Sequence, residues 1–242
     1  MSKRPKLGII QSRGLGDIII ALPIARYYAD QGYDIIWPIC DVFMPNVERH
    51  IPWVQWVPVP IDSRGRFFYD EPMLRLKNLK CDEIMCLYQA LTGHNFHDEK
   101  YFQYTKFDQY KYIQSGVPFL NKWRLAECIT RDPQAEQTLA ERLAIDPAQP
   151  YAVVHLQGSD HMASFDFGMI PQGWRVVEIE EGLTSSVFDW IPIIDRADSI
   201  VMVDSVMANL TDQLGLGEDR YFIQRSHIGL TPVLGQHWTW IP

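Results

Sequence analysis

Cysteine is scarce in this sequence, with four in 242 residues, and Cys40, Cys81, Cys86 and Cys128 show no Cys-x-x-Cys spacing. That excludes a disulfide scaffold and makes a zinc ribbon a poor reading, so the four are expected to be buried thiols in a reducing cytoplasm. Long apolar runs are absent as well. The longest, such as Ile18 to Ile24, fall far short of the roughly 20 residues a membrane span needs. The opening Met-Ser-Lys-Arg-Pro-Lys is not followed by a signal-type core, so neither secretion nor stable membrane insertion is expected. Positive charge is in deficit: 22 Lys and Arg stand against 30 Asp and Glu, a net charge of -8. This excludes nucleic-acid binding through the overall field and leaves room only for local basic surface. There is no Asp-x-Asp pair of the kind that carries a metal in some transferases. What is present is a full apolar complement, 47% hydrophobic with 12% aromatic, enough for one large or two small domains.

The stretch Gln11-Ser-Arg-Gly-Leu-Gly-Asp-Ile-Ile-Ile-Ala-Leu-Pro23 organises the rest. Leu7 to Ile10 reads as a buried parallel strand, and Ile18, Leu22, Ala25 and Ala29 fall at helical spacing, so the segment is strand, tight turn, helix. Gly14 and Gly16 permit positive φ and a close approach by a ligand, while Asp17 stands where an N-cap would. From the residues alone, Asp17 is either a cap or a catalytic carboxylate.

Strand and helix signals then alternate. Ile35-Ile36-Trp37 is a strand ended by Pro38, Trp53 to Val59 an edge strand between prolines, Met73 to Leu79 a helix and Glu83 to Tyr88 a fourth strand, the doubly wound α/β signature. Ligands of such sheets gather at the carboxyl ends of strands, which places Gln89, His94 and Asn95 near Asp17. His94 and His97 stand three apart without a convincing third ligand, which reads as rim histidines rather than a metal site, and no metal is expected. From Lys100 to Tyr112, lysines interleave with aromatics. The segment reads either as an amphipathic element with its aromatics packed inward or as a stacking platform. A helix from Gln134 to Leu143 and a proline-rich link, Ile145 to Pro150, place the domain boundary at residues 148/149.

Beyond it, Tyr151 to Leu156 runs into Gln157-Gly-Ser-Asp160, repeating the design of the first strand and loop. Trp174 to Ile179 is a strand ending in Glu180-Glu181, and the interval before it leaves room for only a very short crossover helix. Ser185 or Ser186 caps a helix that is kinked or short because of Pro192. Asp198 to Val203 is a strand feeding Asp204-Ser205 and a helix stopped by Gly215, and Tyr221 to Gln224 is the last strand, with the tail to Trp240 packed on the body.

Lys6 to Ala29 resembles the opening of the heptosyltransferase-like glycosyltransferases: an apolar strand, Gly-Asp, three apolar residues, Leu-Pro. Cys81 to His94 resembles that family's strand and Gln-Gly-Leu-like turn, with Gln89 kept and Ala90 in place of the glycine. Asp204-Ser205 to Gly215 resembles its Asp-Ser strand end and helix, with Asn209 where histidine is usual. The resemblance implies a GT-B fold: α/β, two Rossmann-like doubly wound domains facing a cleft, with an acceptor side over 1–148 and a nucleotide-sugar side over 149–242. At 242 residues the chain is short for that architecture, so the second domain is expected to be reduced. The resemblance also implies transfer of a hexosyl, pentosyl or heptosyl group from a nucleotide sugar to a hydroxyl, metal-independent and inverting, with Asp17 as base. Arg13, Gly14, Gly16, Gln89 and His94 would line the acceptor side. Gly158, Ser159, Glu180, Glu181, Asp204, Ser205 and Asn209 would hold the donor. The family's lysine after the first donor strand is missing between Asp160 and Trp174, so phosphate neutralisation falls to Arg13, Arg225 or backbone dipoles. A glycan or lipopolysaccharide-type acceptor is what the family implies. A hydroxylated base in DNA, reached along Arg64, Arg66, Lys106 and Lys111, is the second reading, and a non-catalytic nucleotide-sugar-binding protein the third.

Overall fold

The computed structural model describes residues 3–62, 64–88, 105–146, 148–159, 162–225 and 231–241. The chain divides into two compact units, Met1–Thr130 and Arg131–Pro242. The division falls ahead of the proline-rich link because the backbone changes allegiance at Thr130. Thr130 N–H donates to the His50 carbonyl at 2.7 Å, whereas Arg131 pairs with Glu136 on the helix Pro133–Arg142. That helix belongs to the second unit, where Arg142 donates to the Leu183 carbonyl and Arg175 to the carbonyls of Leu143 and Ala144.

In the first unit, β1 (Lys6–Ile10), β2 (Asp34–Cys40), β3 (Gln55–Val59) and β4 (Glu83–Cys86) form a parallel sheet in the order β3-β2-β1-β4. The apolar run of β1 is buried because it is central and covered on both faces. On one side Leu76 of the helix Asp70–Asn78 lies so close that a Cβ on Gly8 would meet its Cδ2 at 2.7 Å, which is why a glycine interrupts the run. Pro38 does not end β2, contrary to the sequence expectation. Pairing with β1 stops at Gly8↔Ile36, so the missing N–H falls beyond that ladder, while pairing with β3 continues to Cys40↔Val59.

Helix α1 (Leu15–Asp30) is buried from Ile18 through Ala25 and carries Pro23 inside it. A proline there removes one helical hydrogen bond and crowds the preceding turn. In that turn the Tyr112 hydroxyl donates to the Ile20 carbonyl at 2.9 Å. Numbering the short helix Met44–Val47 as α2 and Asp70–Asn78 as α3, Tyr112 lies on α4 (Phe107–Ser115), which packs against α1.

In the second unit, β5 (Tyr151–His155), β6 (Arg175–Glu178), β7 (Ser199–Val203), β8 (Arg220–Ile223) and β9 (Thr239–Ile241) are parallel in the order β6-β5-β7-β8-β9. Every residue of β5 and β7 is buried. The reduction expected of this half lies between β5 and β6, where the crossover holds only a 3-10 turn, Phe167–Met169, among the described residues. With Pro133–Arg142 as α5, α6 is Ile191–Asp195, entered through a 3-10 turn that Ser186 caps by accepting from Phe188 N–H at 3.3 Å. Pro192 fits because it stands in the first turn. Helix α7 (Val206–Leu214) follows β7 and ends at Gly215, whose φ of 66° is the left-handed stop. The tail does more than pack on the body: it adds β9 beside β8.

Candidate functional site

Both strand orders reverse direction at one point, between β1 and β4 in the first sheet and between β5 and β7 in the second. Loops diverge at the carboxyl ends of the strands there, which opens a crevice for ligands. Those of the sequence-expected acceptor and donor residues that are described lie in the turns, or the first helical turns, that follow these strands or the strands beside them.

At the first, Gly14 takes φ 82° and α1 begins at Leu15. Asp17 is not the cap: the helix has no side-chain cap bond. Its carboxylate instead folds back over the turn, so that a Cβ on Gly14 would lie 2.5 Å from Oδ2, and Oδ1 meets the Lys111 ammonium at 2.9 Å. A carboxylate in the first turn of a helix is also favoured by the partial positive charge there. Lys111 comes from α4 with its side chain 6% exposed, while that of Asp17 is 35% exposed. This overturns the reading of Lys111 as a DNA-phosphate contact, because its charge is spent inside the protein. Tyr110 and Tyr112 are buried too, so the described part of the aromatic segment packs inward as an amphipathic helix. Lys106 stands at the N-cap of α4, and Arg66 pairs with Glu71.

Arg13 is held by its backbone, and its guanidinium makes no hydrogen bond or ion pair among the described residues. Its N–H donates to the Tyr88 hydroxyl at 2.8 Å, and its carbonyl accepts from Gln11 Nε2 at 2.8 Å. Its guanidinium lies 5.2 Å from the Phe67 ring centre and 5.9 Å from that of Phe68. Ser12 joins the same network, donating to the Phe67 carbonyl and lying 3.2 Å from the Tyr88 hydroxyl. Burial pushes the Tyr88 phenol up to about 12, so it stays protonated and works as a hydrogen-bonding post. Gly16 occupies the second position of α1, half-buried. Gln89, His94, Asn95, His97 and Asp160 lie outside the described residues.

At the second switch point, Ser205 caps α7, its hydroxyl accepting from Ala208 N–H at 3.5 Å. Asp204 is buried beside it. Asn209, where histidine was usual, turns its amide inward and donates to the Ser205 carbonyl at 2.9 Å; its Oδ1 has no partner among the described residues. Gly158 is buried and Ser159 exposed, and Arg225 reaches across from the end of β8 to donate to the Ser159 hydroxyl. Glu180 and Glu181 follow β6 at the same edge, exposed and without a hydrogen bond or ion pair among the described residues.

His155 was not singled out by sequence reasoning. It ends β5, and its Nδ1 lies 3.0 Å from the Ser205 hydroxyl. Burial pushes the imidazole down to about 4, so it is neutral at neutral pH. The signal was present: a histidine closing an otherwise apolar buried strand, one residue short of Gln157-Gly158. Among the described residues no group of three or more His, Cys, Asp or Glu is arranged to hold a metal ion.

No protein-family model and no curated protein matches the sequence. The structure, however, is similar to that of solved glycosyltransferases. A family 9 glycosyl transferase from Veillonella parvula has a TM-score of 0.59 at 10% identity, covering 98% of this chain and 85% of that one. The E. coli heptosyltransferase WaaC, solved with ADP, has a TM-score of 0.54 at 15% identity, covering 98% of this chain and 93% of that one. The E. coli ADP-heptose lipopolysaccharide heptosyltransferase II has a TM-score of 0.54 at 11% identity, over 98% and 90%. At these identities the likeness is one of fold, and it runs through both units.

Proposed function

We propose that this chain is a glycosyltransferase that moves a sugar from a nucleotide sugar to an acceptor hydroxyl, without a metal and with inversion. The observation that carries the proposal is the carboxylate at the β1/β4 switch point. Asp17 is gripped through Oδ1, and its Oδ2 has no hydrogen-bond donor among the described residues. Such an oxygen can take the proton of a hydroxyl as that hydroxyl's oxygen attacks the anomeric carbon; general-base help of this kind contributes about a hundred- to ten-thousandfold. The sugar–phosphate C–O bond breaks on the opposite face, and its electron pair leaves with the nucleoside diphosphate.

The leaving group needs positive charge, and the second switch point supplies it in two forms. One is the N-terminal turn of α7 at Ser205, whose N–H groups and dipole favour an anion. The other is Arg225, already in reach of Ser159. Neutral His155 adds a hydrogen-bonding group rather than charge. Glu180 and Glu181, exposed at the end of β6, are the carboxylates that can accept from ribose hydroxyls. That two neighbours in fold are heptosyltransferases, one of them solved with ADP, supports ADP as the first nucleotide to try and a lipopolysaccharide-core glycan as the first acceptor.

The test is mass spectrometry of products from ADP-heptose, UDP-glucose and GDP-mannose, each offered with lipopolysaccharide core and with hydroxymethylated DNA. Transfer to the glycan is the expected result. No transfer and no donor hydrolysis with any pair would remove the enzymatic reading. Asp17→Asn is expected to fold normally, because its amide oxygen can still accept from Lys111, and to lose at least about a hundredfold in turnover. Near-normal turnover would take Asp17 out of the mechanism.

A further inference from the structure

Lys111 is a buried cation that lies a hundred residues from Gln11 in sequence yet in direct contact with it. A lysine ammonium has three protons and no acceptor. Here each proton finds an acceptor on the protein: Asp17 Oδ1 at 2.9 Å, Gln11 Oε1 at 2.7 Å and the Leu87 carbonyl at 3.4 Å. The Phe107 ring centre, 6.0 Å away, covers another side. With its donors spent and its side chain enclosed, this ammonium has nothing left to offer a substrate. Its contacts come from the end of β1 (Gln11), the first turn of α1 (Asp17) and the segment after β4 (Leu87), the elements that meet at the switch point. Gln11 ties the cluster to the turn itself, since its amide nitrogen donates to the Arg13 carbonyl.

We propose that Lys111 is a positioning residue for the base Asp17: by holding Oδ1 it fixes the carboxylate over Gly14 and presents Oδ2 as the oxygen that takes the acceptor's proton. The inference rests on the reading of Asp17 as base and deepens it. Without the ammonium, an aspartate with a third of its surface in water samples other rotamers, and its Oδ2 leaves the geometry that proton transfer needs. A misplacement of about 1 Å from a productive geometry costs on the order of a hundredfold. The grip also accounts for a glycine at position 14, because the held carboxylate occupies the space a side chain would take.

Four proteins test it: wild type, Lys111→Met, Asp17→Asn and the double variant, assayed with ADP-heptose and lipopolysaccharide core, with KM and kcat separated. The expected result is a fall in kcat of about ten- to a hundredfold for Lys111→Met, with the KM of donor and acceptor unchanged. In the Asp17→Asn background the same substitution is expected to cost nothing more, because the residue it serves is gone. Equal losses in both backgrounds, a rise in KM alone, or no loss would each overturn the proposal; a KM effect would make Lys111 a binding group instead. Circular dichroism and urea unfolding establish that the variants are folded. Lys111→Gln, whose amide keeps a donor for Gln11, replaces Lys111→Met if the latter does not fold. Unfolding of both would overturn the proposal in favour of a structural cation. An active Asp17→Asn sinks the reading of the base, whereas an inactive Asp17→Asn beside a normal Lys111→Met sinks this inference alone.

Discussion

Gly14 and His155 show how single residues set the chemistry available at each switch point. Gly14 combines φ 82° with a neighbour, Asp17 Oδ2, that would lie 2.5 Å from any Cβ. Gly14→Ala is therefore expected to cost about 1–3 kcal/mol from the backbone alone, and to push the carboxylate off its place, lowering kcat while donor affinity is kept. Urea unfolding and steady-state kinetics on the same preparation measure the two effects; full activity would mean that the position of Oδ2 is immaterial. His155 acts through its proton. Burial holds the folded imidazole down to about 4 from an ordinary 6.5, so the unfolded chain binds the proton first as pH falls. The stability tied to the neutral ring is complete above about 6.5 and drains away between 6.5 and 4, a loss of about 3 kcal/mol. His155→Gln keeps a hydrogen-bonding side chain and removes the titration. Urea unfolding at pH 7.0 and 5.0 is expected to show a smaller pH-dependent loss in the variant than in the wild type. Parallel losses would show that His155 does not carry the effect.

At the scale of elements, the buried strands were legible because parallel strands covered on both faces read as unbroken apolar runs, as in Leu7-Gly-Ile-Ile10 and Ile200-Val-Met-Val203. Pro38 was misread because local chemistry cannot tell on which side of a strand the hydrogen-bonding ladder has already ended. The tail was only partly legible, since the rule that makes β9 a strand lies elsewhere in the chain. Buried Asp212 on α7 accepts from Gly235 N–H at 2.9 Å, from Gln236 N–H at 3.0 Å and from the Trp238 indole at 3.1 Å. One carboxylate thereby turns the chain into register beside β8, where Trp240 packs at a tilt against Phe222, 4.8 Å between ring centres. Asp212→Ala strands the buried Trp238 indole N–H, at about 1–3 kcal/mol for the unsatisfied group, and releases the Gly235 and Gln236 N–H groups, which lie nearer the surface. The expected outcome is a second unit less stable by about 1–3 kcal/mol, with a red-shifted tryptophan emission from the released tail. An unchanged emission maximum would mean that β9 holds without Asp212.

At the scale of the whole molecule, the chain uses one plan twice: a parallel sheet, a reversal of strand order, and polar groups gathered where the order reverses. The glycines and acids of these loops were legible from sequence because they break apolar runs at strand ends, as Gly16-Asp17 and Asp204-Ser205 do. Lys111 was not assigned its place beside Asp17, because it reaches the turn from an element remote in sequence, and spacing along the chain does not carry that information. Arg225 was named as one of several phosphate partners, but its contact with Ser159 was not legible for the same reason. The two halves differ in charge. The first switch point presents the Asp17 carboxylate beside Arg13, and the second a nine-residue helix's N-terminus with Arg225, so an anion, repelled by that carboxylate, is expected to favour the second unit. ADP in the presence of EDTA is expected to raise the melting temperature; at a hundred times its Kd the stabilisation is about 2.7 kcal/mol. Hydrogen exchange places that stabilisation: protection is expected around His155 to Ser159, Ser205 to Asn209 and Arg225, with the Gln11 to Asp17 turn unchanged. A shift that appears only with magnesium or manganese would mean that a cation, not the α7 terminus and Arg225, neutralises the diphosphate. Protection at Asp17 in place of Ser205 would exchange the roles of the two halves.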